Sequence, residues 1–287
     1  MKLSCDIAFG IFSWFGWVMP LPKRLELIRQ AGFTSTSLWW EDEIGTPPID
    51  RPTMAALVRD YGLNLDNVHV PYDDIDDLWS EDKSCRNNIV DRHLKWIDEL
   101  AQCSIPIMVM HIMDHYYPPL PNQYGLESIG QIVAAAREAG ILIAIENTGD
   151  VGLIDYVLTH IESDHLGFCY DSSHDWLYSV KKARILDKWG HRLLCTHLSD
   201  NDGKRDRHWL PGQGNIDWQL IRRFLPPNNY RGTIALEVTA SRSQQTALTP
   251  QQFLEEAYER LELLFSKFSA KKQARPDAIN TGQPSTL

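Results

Sequence analysis

Several short apolar runs in this chain of 287 residues end on side chains that can hold a metal ion or move a proton. They read Val68-His69-Val70-Pro71, Met110-His111, Ile145-Glu146-Asn147, Tyr170-Asp171-Ser172-Ser173-His174, Thr196-His197-Leu198-Ser199-Asp200 and Leu236-Glu237-Val238, with Asp206 and His208 between the last two. One histidine at the end of an apolar run is more often a hydrogen-bonded structural residue than a ligand. The set is different, because Glu146 and Glu237 each follow directly on apolar residues. A carboxylate there cannot lie unpaired in a dry core without a cost of several kcal/mol. A bound cation is the partner that fits. Oxygen and imidazole donors without thiolate suit manganese, magnesium, zinc, cobalt or iron, and the donor types alone do not choose among these divalent ions.

Such groups must be positioned by elements, and the elements alternate. Strands are expected at Leu3–Phe9, Ser35–Trp39, Asn64–Val70, Ile107–His111, Leu142–Glu146, Leu166–Tyr170, Leu193–Leu198 and Thr233–Val238. Between them, apolar residues recur every three or four positions over Lys23–Ala31, Thr53–Tyr61, Ser84–Gln102 and Leu126–Ala139, the period of amphipathic helices. Ala31-Gly32 and Ala139-Gly140 place a glycine between helix and strand. Eight such pairs, with no G-x-G-x-x-G turn after the first strand, predict an α/β fold: a single-domain (β/α)8 TIM barrel over residues 1–268. Catalytic groups of that architecture sit where strands run out into the following loops, which is where the polar residues fall. The last helix is expected over Pro250–Phe268, and residues 269–287 lose all periodicity and read as a disordered tail.

Composition agrees. Apolar residues make up 43% and charged residues 23%, values typical of a globular protein. A formal charge of −10 repels a nucleic-acid backbone, and Lys271, Lys272 and Arg275, the one basic block, lie in the tail, so nucleic acid is not the expected partner. Cys5, Cys85, Cys103, Cys169 and Cys195 are odd in number and lack CxxC spacing, which predicts reduced thiols and a cytoplasmic protein. The apolar stretch from Leu3 to Met19 is interrupted by Asp6 and reads as a strand with its loop rather than a signal peptide, and no other run approaches a membrane span. Assembly into a homo-oligomer stays open.

The residues resemble a known superfamily. Glu146 at a strand end, Asp171 with His174 as D-x-x-H, His197 with Asp200 as H-x-x-D, Pro211-Gly212-Gln213-Gly214 before Ile216-Asp217, and Glu237 are similar to the xylose-isomerase-like barrels. These include sugar isomerases and epimerases and the abasic-site endonucleases, and the likeness spans roughly residues 1–268. In the ketose epimerase branch the matching residues hold one divalent ion. The resemblance therefore implies a metal site of Glu146, Asp171, His197 and Glu237, with Glu146 and Glu237 as the catalytic acid/base pair and His174 on the substrate. The chemistry is coherent: a metal polarises a carbonyl and stabilises the enediolate, and two carboxylates on opposite faces deprotonate and reprotonate the carbon. The expected substrate is a sugar, a sugar phosphate or a keto-polyol. Trp14, Trp17, Trp39 and Trp40 fall near the first two strand ends, where indole faces suit sugar C–H surfaces or simply cap the barrel mouth.

His69, His111, Asp206 and His208 exceed what an epimerase needs. Together with His174 they match positions that complete a three-zinc site in the endonuclease branch, and Asp206-Arg207-His208 resembles its D-R-H segment. They are expected as further metal ligands or as substrate contacts, and the alternative activity is a multinuclear zinc phosphodiesterase. The acidic charge, and the lack of a basic loop interleaved with aromatics, keep the sugar reading ahead. Lys204, Arg205 and Arg207 read either as an anion contact for the substrate or as a solvated turn. Asp73, Asp74, Asp76 and Asp77 lack EF-hand spacing and read as a loop and helix start. His93, His160, His165 and His191 are expected to be structural or solvated.

Overall fold

A computed structural model of the chain describes residues 7–45, 47–114, 119–149, 151–226 and 230–265. Its strands are β1 Phe9–Phe12, β2 Ser35–Trp39, β3 Asn64–His69, β4 Ile107–Met110, β5 Leu142–Glu146, β6 Leu166–Asp171, β7 Leu193–His197 and β8 Ile234–Leu236. The helices are α1 Leu21–Gln30, α2 Arg51–Asp60, α3 Lys83–Gln102, α4 Gln123–Ala139, α5 Val151–His160, α6 Ser172–Tyr178, α7 Arg184–Trp189, α8 Trp218–Ile221, α9 Arg242–Ala247 and α10 Pro250–Phe265. Strands pair in parallel in the order β7-β6-β5-β4-β3-β2-β1-β8. The seam between β7 and β8 is closed more thinly. Leu198 bridges Leu236, the Leu198 N–H donates to the Ala235 carbonyl at 2.9 Å, and the Thr196 hydroxyl accepts from the Ala235 N–H at 2.8 Å. The result is a nearly closed (β/α)8 barrel, as expected.

Most element boundaries fall where periodicity puts them, and the exceptions have physical causes. Helices α2, α3 and α4 start one to three residues early because Asp50, Asp82 and Asn122 cap them, accepting from the N–H groups of Thr53, Ser84 and Gly125. Gly140 ends α4 in the left-handed region at φ 72°, with its N–H donating to the Ala136 and Arg137 carbonyls. The first strand is a correction: it runs Phe9–Phe12 rather than Leu3–Phe9, whose first four residues lie outside the described residues. Its place is set by contact with its neighbours. Gly10 pairs with Ser35 and Ala235, and a Cβ there would stand 2.7 Å from Thr233 Cγ2, so only glycine fits this position of the barrel wall. An apolar run carries no mark of such a crossing. Helix α10 is described to Phe265, and the expected disordered tail lies outside the described residues.

The strands have two apolar faces. Met108, Met110, Ile143, Ile145, Phe168 and Tyr170 join the main core under the helices, whereas Ile107, Val109, Ala144, Cys169 and Cys195 form a separate small cluster. Strand alternation carries this second face, two residues on, to His111, Glu146, Asp171 and His197. The inner layer of small side chains is thus the floor of the polar strand ends. Cys169 and Cys195 are buried free thiols in that floor, Cys85 and Cys103 are free and half-buried, and Cys5 lies outside the described residues. No described helix is long and apolar enough to cross a membrane.

Candidate metal centre

Glu146, the last residue of β5, is the hub. Its Oε2 lies 3.1 Å from His69 Nε2 and 3.1 Å from His197 Nδ1, and its Oε1 lies 3.1 Å from His174 Nδ1. His197 Nδ1 also lies 3.0 Å from Glu237 Oε2, and His111 Nε2 stands 3.1 Å from His69 Nε2. A second arm runs outward: Asp206 Oδ2 meets His174 Nε2 at 3.1 Å and His208 Nε2 at 3.0 Å. Asp171 Oδ1 accepts from the His174 N–H, so all nine ligand-type residues anticipated from the sequence form one connected cluster.

Glu146, Asp171, His197 and Glu237 each offer a ligand atom, and these atoms lie within 4.8 Å of one another. Atoms bound to one ion at about 2.1 Å are about 3–4 Å apart, so the set needs little adjustment to hold a cation. Two further observations favour one. Asp171 is fully buried, and its Oδ2 lacks a hydrogen-bond partner although its Oδ1 accepts from the His174 N–H at 2.7 Å. His69 Nδ1 donates to the Val70 carbonyl at 2.9 Å, a tautomer that turns Nε2 toward Glu146 Oε2 and His111 Nε2, each 3.1 Å away. His69, His111 and Glu146 form a second group within the same 4.8 Å limit. The residues present fit a divalent cation.

The electrostatics without an ion explain why one is wanted. Burial above all, with Glu146, Asp206 and Glu237 adding to it and His174 opposing, pushes the Asp171 carboxyl up to about 7. Burial is the largest single influence and would raise Glu146 and Glu237, but the histidines together outweigh it: His197, His111 and His174 at Glu146, and His197 and His208 at Glu237. Glu146 is held well below the usual carboxylate range and Glu237 at about 2. Burial lowers His111 to about 3, so its imidazole is neutral and available as a donor to metal. Glu146 and Glu237 are ionised because His197 beside them is held toward its protonated form, whereas the carboxyl of Asp171 is held back from ionising; a divalent cation in their midst would take over the role of that proton and favour the ionised form of all three.

A family model for the xylose isomerase-like TIM barrel matches residues 25–262. The chain belongs to this family. Among curated relatives, "Uncharacterized protein y4fM" of Sinorhizobium fredii is 27% identical over 254 residues, covering 76% of this chain and 81% of its own. "Fructoselysine 3-epimerase" of Escherichia coli O157:H7 is 30% identical over 100 residues, covering 35% of this chain and 36% of its own. The solved D-allulose 3-epimerase of Methylomonas sp. superimposes with a TM-score of 0.72 at 17% identity, covering 90% of this chain and 97% of that one. It is a likeness of fold.

On this xylose isomerase-like barrel the remaining expected residues divide. Trp39 stacks on His69, centroids 4.8 Å apart at 17°, and so borders the cluster. Trp40 is fully buried on the other face of the strand and donates to Glu99, and Trp17 packs on Phe15 and Phe253; neither reading as a mouth residue survives. Trp14 is 41% exposed over the Arg24 guanidinium, and among the described residues it is neither stacked nor bonded to the cluster. Arg205 is exposed on a turn organised by Asp202, which accepts from the N–H groups of Lys204 and Arg205 and pairs with Arg207. Asp200, the last residue of H-x-x-D, is not in the cluster. It is a buried anchor that accepts from the N–H groups of Gly212 and Ile216 and from Trp218 Nε1, which fixes the loop carrying Asp206 and His208.

Two residues of the site were missed in the sequence. Tyr72 stacks on His111, centroids 4.1 Å apart, and meets Trp39 edge-on. An aromatic residue just past the His69 strand end was the available signal. Asn147 clamps the β6 end, donating to the Asp171 carbonyl at 2.8 Å and accepting from its N–H at 2.7 Å. Nothing in an isolated Glu-Asn pair announces that.

Proposed function

We propose that the chain is a divalent-metal-dependent epimerase or isomerase of a sugar, sugar phosphate or keto-polyol. The observation that carries this reading is the approach of Glu146 and Glu237, from β5 and β8, to the same atom, His197 Nδ1, at 3.1 and 3.0 Å. Glu146, Asp171, His197 and Glu237 would hold a manganese, magnesium, cobalt or zinc ion, which would supply Lewis acidity to a substrate carbonyl and so acidify the adjacent C–H. One glutamate takes the proton from that carbon as the C–H electron pair moves toward the carbonyl. The other must first take up a proton from solvent; it then gives that proton to the opposite face and leaves ionised, so the configuration changes while one proton is gained by one glutamate and lost by the other. His174, held between Glu146 and Asp206, contacts substrate hydroxyls, and Trp39 and Tyr72 offer aromatic faces to its C–H surface. Family membership and the partial likeness to fructoselysine 3-epimerase support the same reaction class.

The test is a panel of ketoses and sugar phosphates in deuterated water. Metal-dependent exchange of one carbon-bound hydrogen is the expected result, and no exchange with any of them overturns the reading. The gathering of His69, His111, His174, Asp206 and His208 around the same carboxylates favours a second reading, a multinuclear zinc phosphodiesterase. About three zinc ions per chain with cleavage of a simple phosphodiester would establish it; about one ion per chain goes with the epimerase.

A further inference from the structure

A cleft of about 300 Å³ opens between α5 and the segment from α6 to α7, outside the metal cluster. Its lining holds three cations, Lys181, Arg184 and Lys188, against one carboxylate, Asp155. Lys188 is ion-paired with Asp155, and Trp189 Nε1 donates to the same oxygen at 2.7 Å, so that carboxylate is already satisfied. Lys181 and Arg184 make no side-chain hydrogen bond or ion pair with any described residue, although the next lysine, Lys182, donates to two backbone carbonyls, those of Trp176 and Ser179. Two cations in one cleft that no described carboxylate pairs with directly, Arg184 acting on Asp155 only at longer range, are notable on a chain of formal charge −10. The walls between them are apolar: Val180 is fully exposed, Tyr178 is 40% exposed, and Trp189 and Ile185 complete the surface.

We propose that this cleft is a binding site for a small phosphorylated molecule, its phosphate on Lys181 and Arg184 and its apolar or sugar body against Tyr178, Val180 and Trp189. The charge balance matches. Three cations less one carboxylate leave two positive charges, and a phosphate monoester carries about −1.5 to −2 at pH 7. The size matches a small metabolite, since ligand cavities begin near 300 Å³. A neutral ligand would leave both cations unanswered, and a nucleic-acid backbone would meet the acidic remainder of the chain.

The cleft has a route to the metal cluster. Tyr178 lines the cleft at the end of α6, and its ring stands 6.0 Å from that of His174, which bonds Glu146 and Asp206. The same helix starts on Asp171, whose side chain accepts from the His174 N–H. Filling the cleft therefore bears on the helix that positions His174. This site is independent of the reaction assigned to the cluster, and either can fail without the other.

The test is calorimetric titration of the full-length, metal-loaded protein at low salt with phenyl phosphate, inorganic phosphate and phenol. Saturable binding of phenyl phosphate at one site, tighter than inorganic phosphate and with none for phenol, is expected. The pair Lys181→Gln with Arg184→Gln should weaken phenyl phosphate at least tenfold while metal content and thermal midpoint stay unchanged. Absence of saturable binding overturns the proposal. So does binding that survives in the double variant, which would place the phosphate on the metal instead.

Discussion

His69 Nε2 stands 3.1 Å from both Glu146 Oε2 and His111 Nε2 while its Nδ1–H is committed to the Val70 carbonyl. The ring tautomer of His69 is thus fixed from behind, which turns the Nε2 lone pair toward the Glu146 carboxylate. A cation between the two would convert that contact into an attraction.

Thermal stability should therefore rise with divalent metal. At an ion concentration 100 times its dissociation constant the gain is about 2.7 kcal/mol, which for a domain of this size is a shift of roughly 5–10 °C. Glu146→Gln should abolish the shift in a melting curve taken with and without manganese. An equal shift in that variant would remove Glu146 from the ligand set.

Glu237→Gln should lower hydrogen exchange from substrate carbon by about 10²–10⁴-fold, the range that general acid–base groups contribute. The amide is both a poorer ligand and no base. Metal content measured on the same sample separates the two causes, because a purely catalytic loss leaves the ion in place.

His111→Ala distinguishes the two metal stoichiometries. For an epimerase resting on Glu146, Asp171, His197 and Glu237, turnover should fall by no more than about 10–100-fold, as for loss of a supporting group outside the four. A collapse accompanied by loss of zinc would instead fit a site in which His69 and His111 share an ion.

Asp200→Ala should destabilise the fold by about 3 kcal/mol or more, because the N–H groups of Gly212 and Ile216 and the Trp218 indole lose a buried charged acceptor. Urea unfolding reads this directly. A change below about 1 kcal/mol would show that the loop holding Asp206 and His208 does not depend on Asp200.

Acid should weaken the fold through His93. Burial lowers this histidine to about 4, and its Nδ1–H donates to the Ile89 carbonyl inside α3. Unfolded, it takes a proton below about 6.5. Between those values the unfolded chain binds more protons than the folded one, so stability falls as pH drops from about 6.5 to 4, by about 3 kcal/mol in all. His93→Gln should flatten that part of the pH–stability curve, and an unaltered slope would assign the acid sensitivity elsewhere.

The barrel and the ligand cluster were legible because both obey short-range patterns. Period 2 in the strands brings Glu146, Asp171 and His197 to the same inner face, and the apolar run before each marks the strand end. Residues whose role depends on what packs behind them were not legible. Trp39 and Trp40 are adjacent, yet one borders the cluster and the other is buried under α3 with Glu99, because neighbouring strand residues face opposite sides. Asp200 is only the last letter of H-x-x-D in the sequence, and its task, holding a loop that folds back from residues 212–218, depends on partners far along the chain. Arg205 and Trp14 belong to loops, where spacing says nothing about direction.

The thin seam of the barrel lies directly below the site. Strands β7 and β8 share few backbone bonds, yet His197 and Glu237, which meet at 3.0 Å, stand at the ends of those two strands. An ion gripping both would act as a clasp across the weakest join in the wall, tying closure of the cylinder to the free metal level around it. Amide hydrogen exchange at Leu198 and Glu237, slowed by metal and quickened by chelator, would register the clasp opening and shutting.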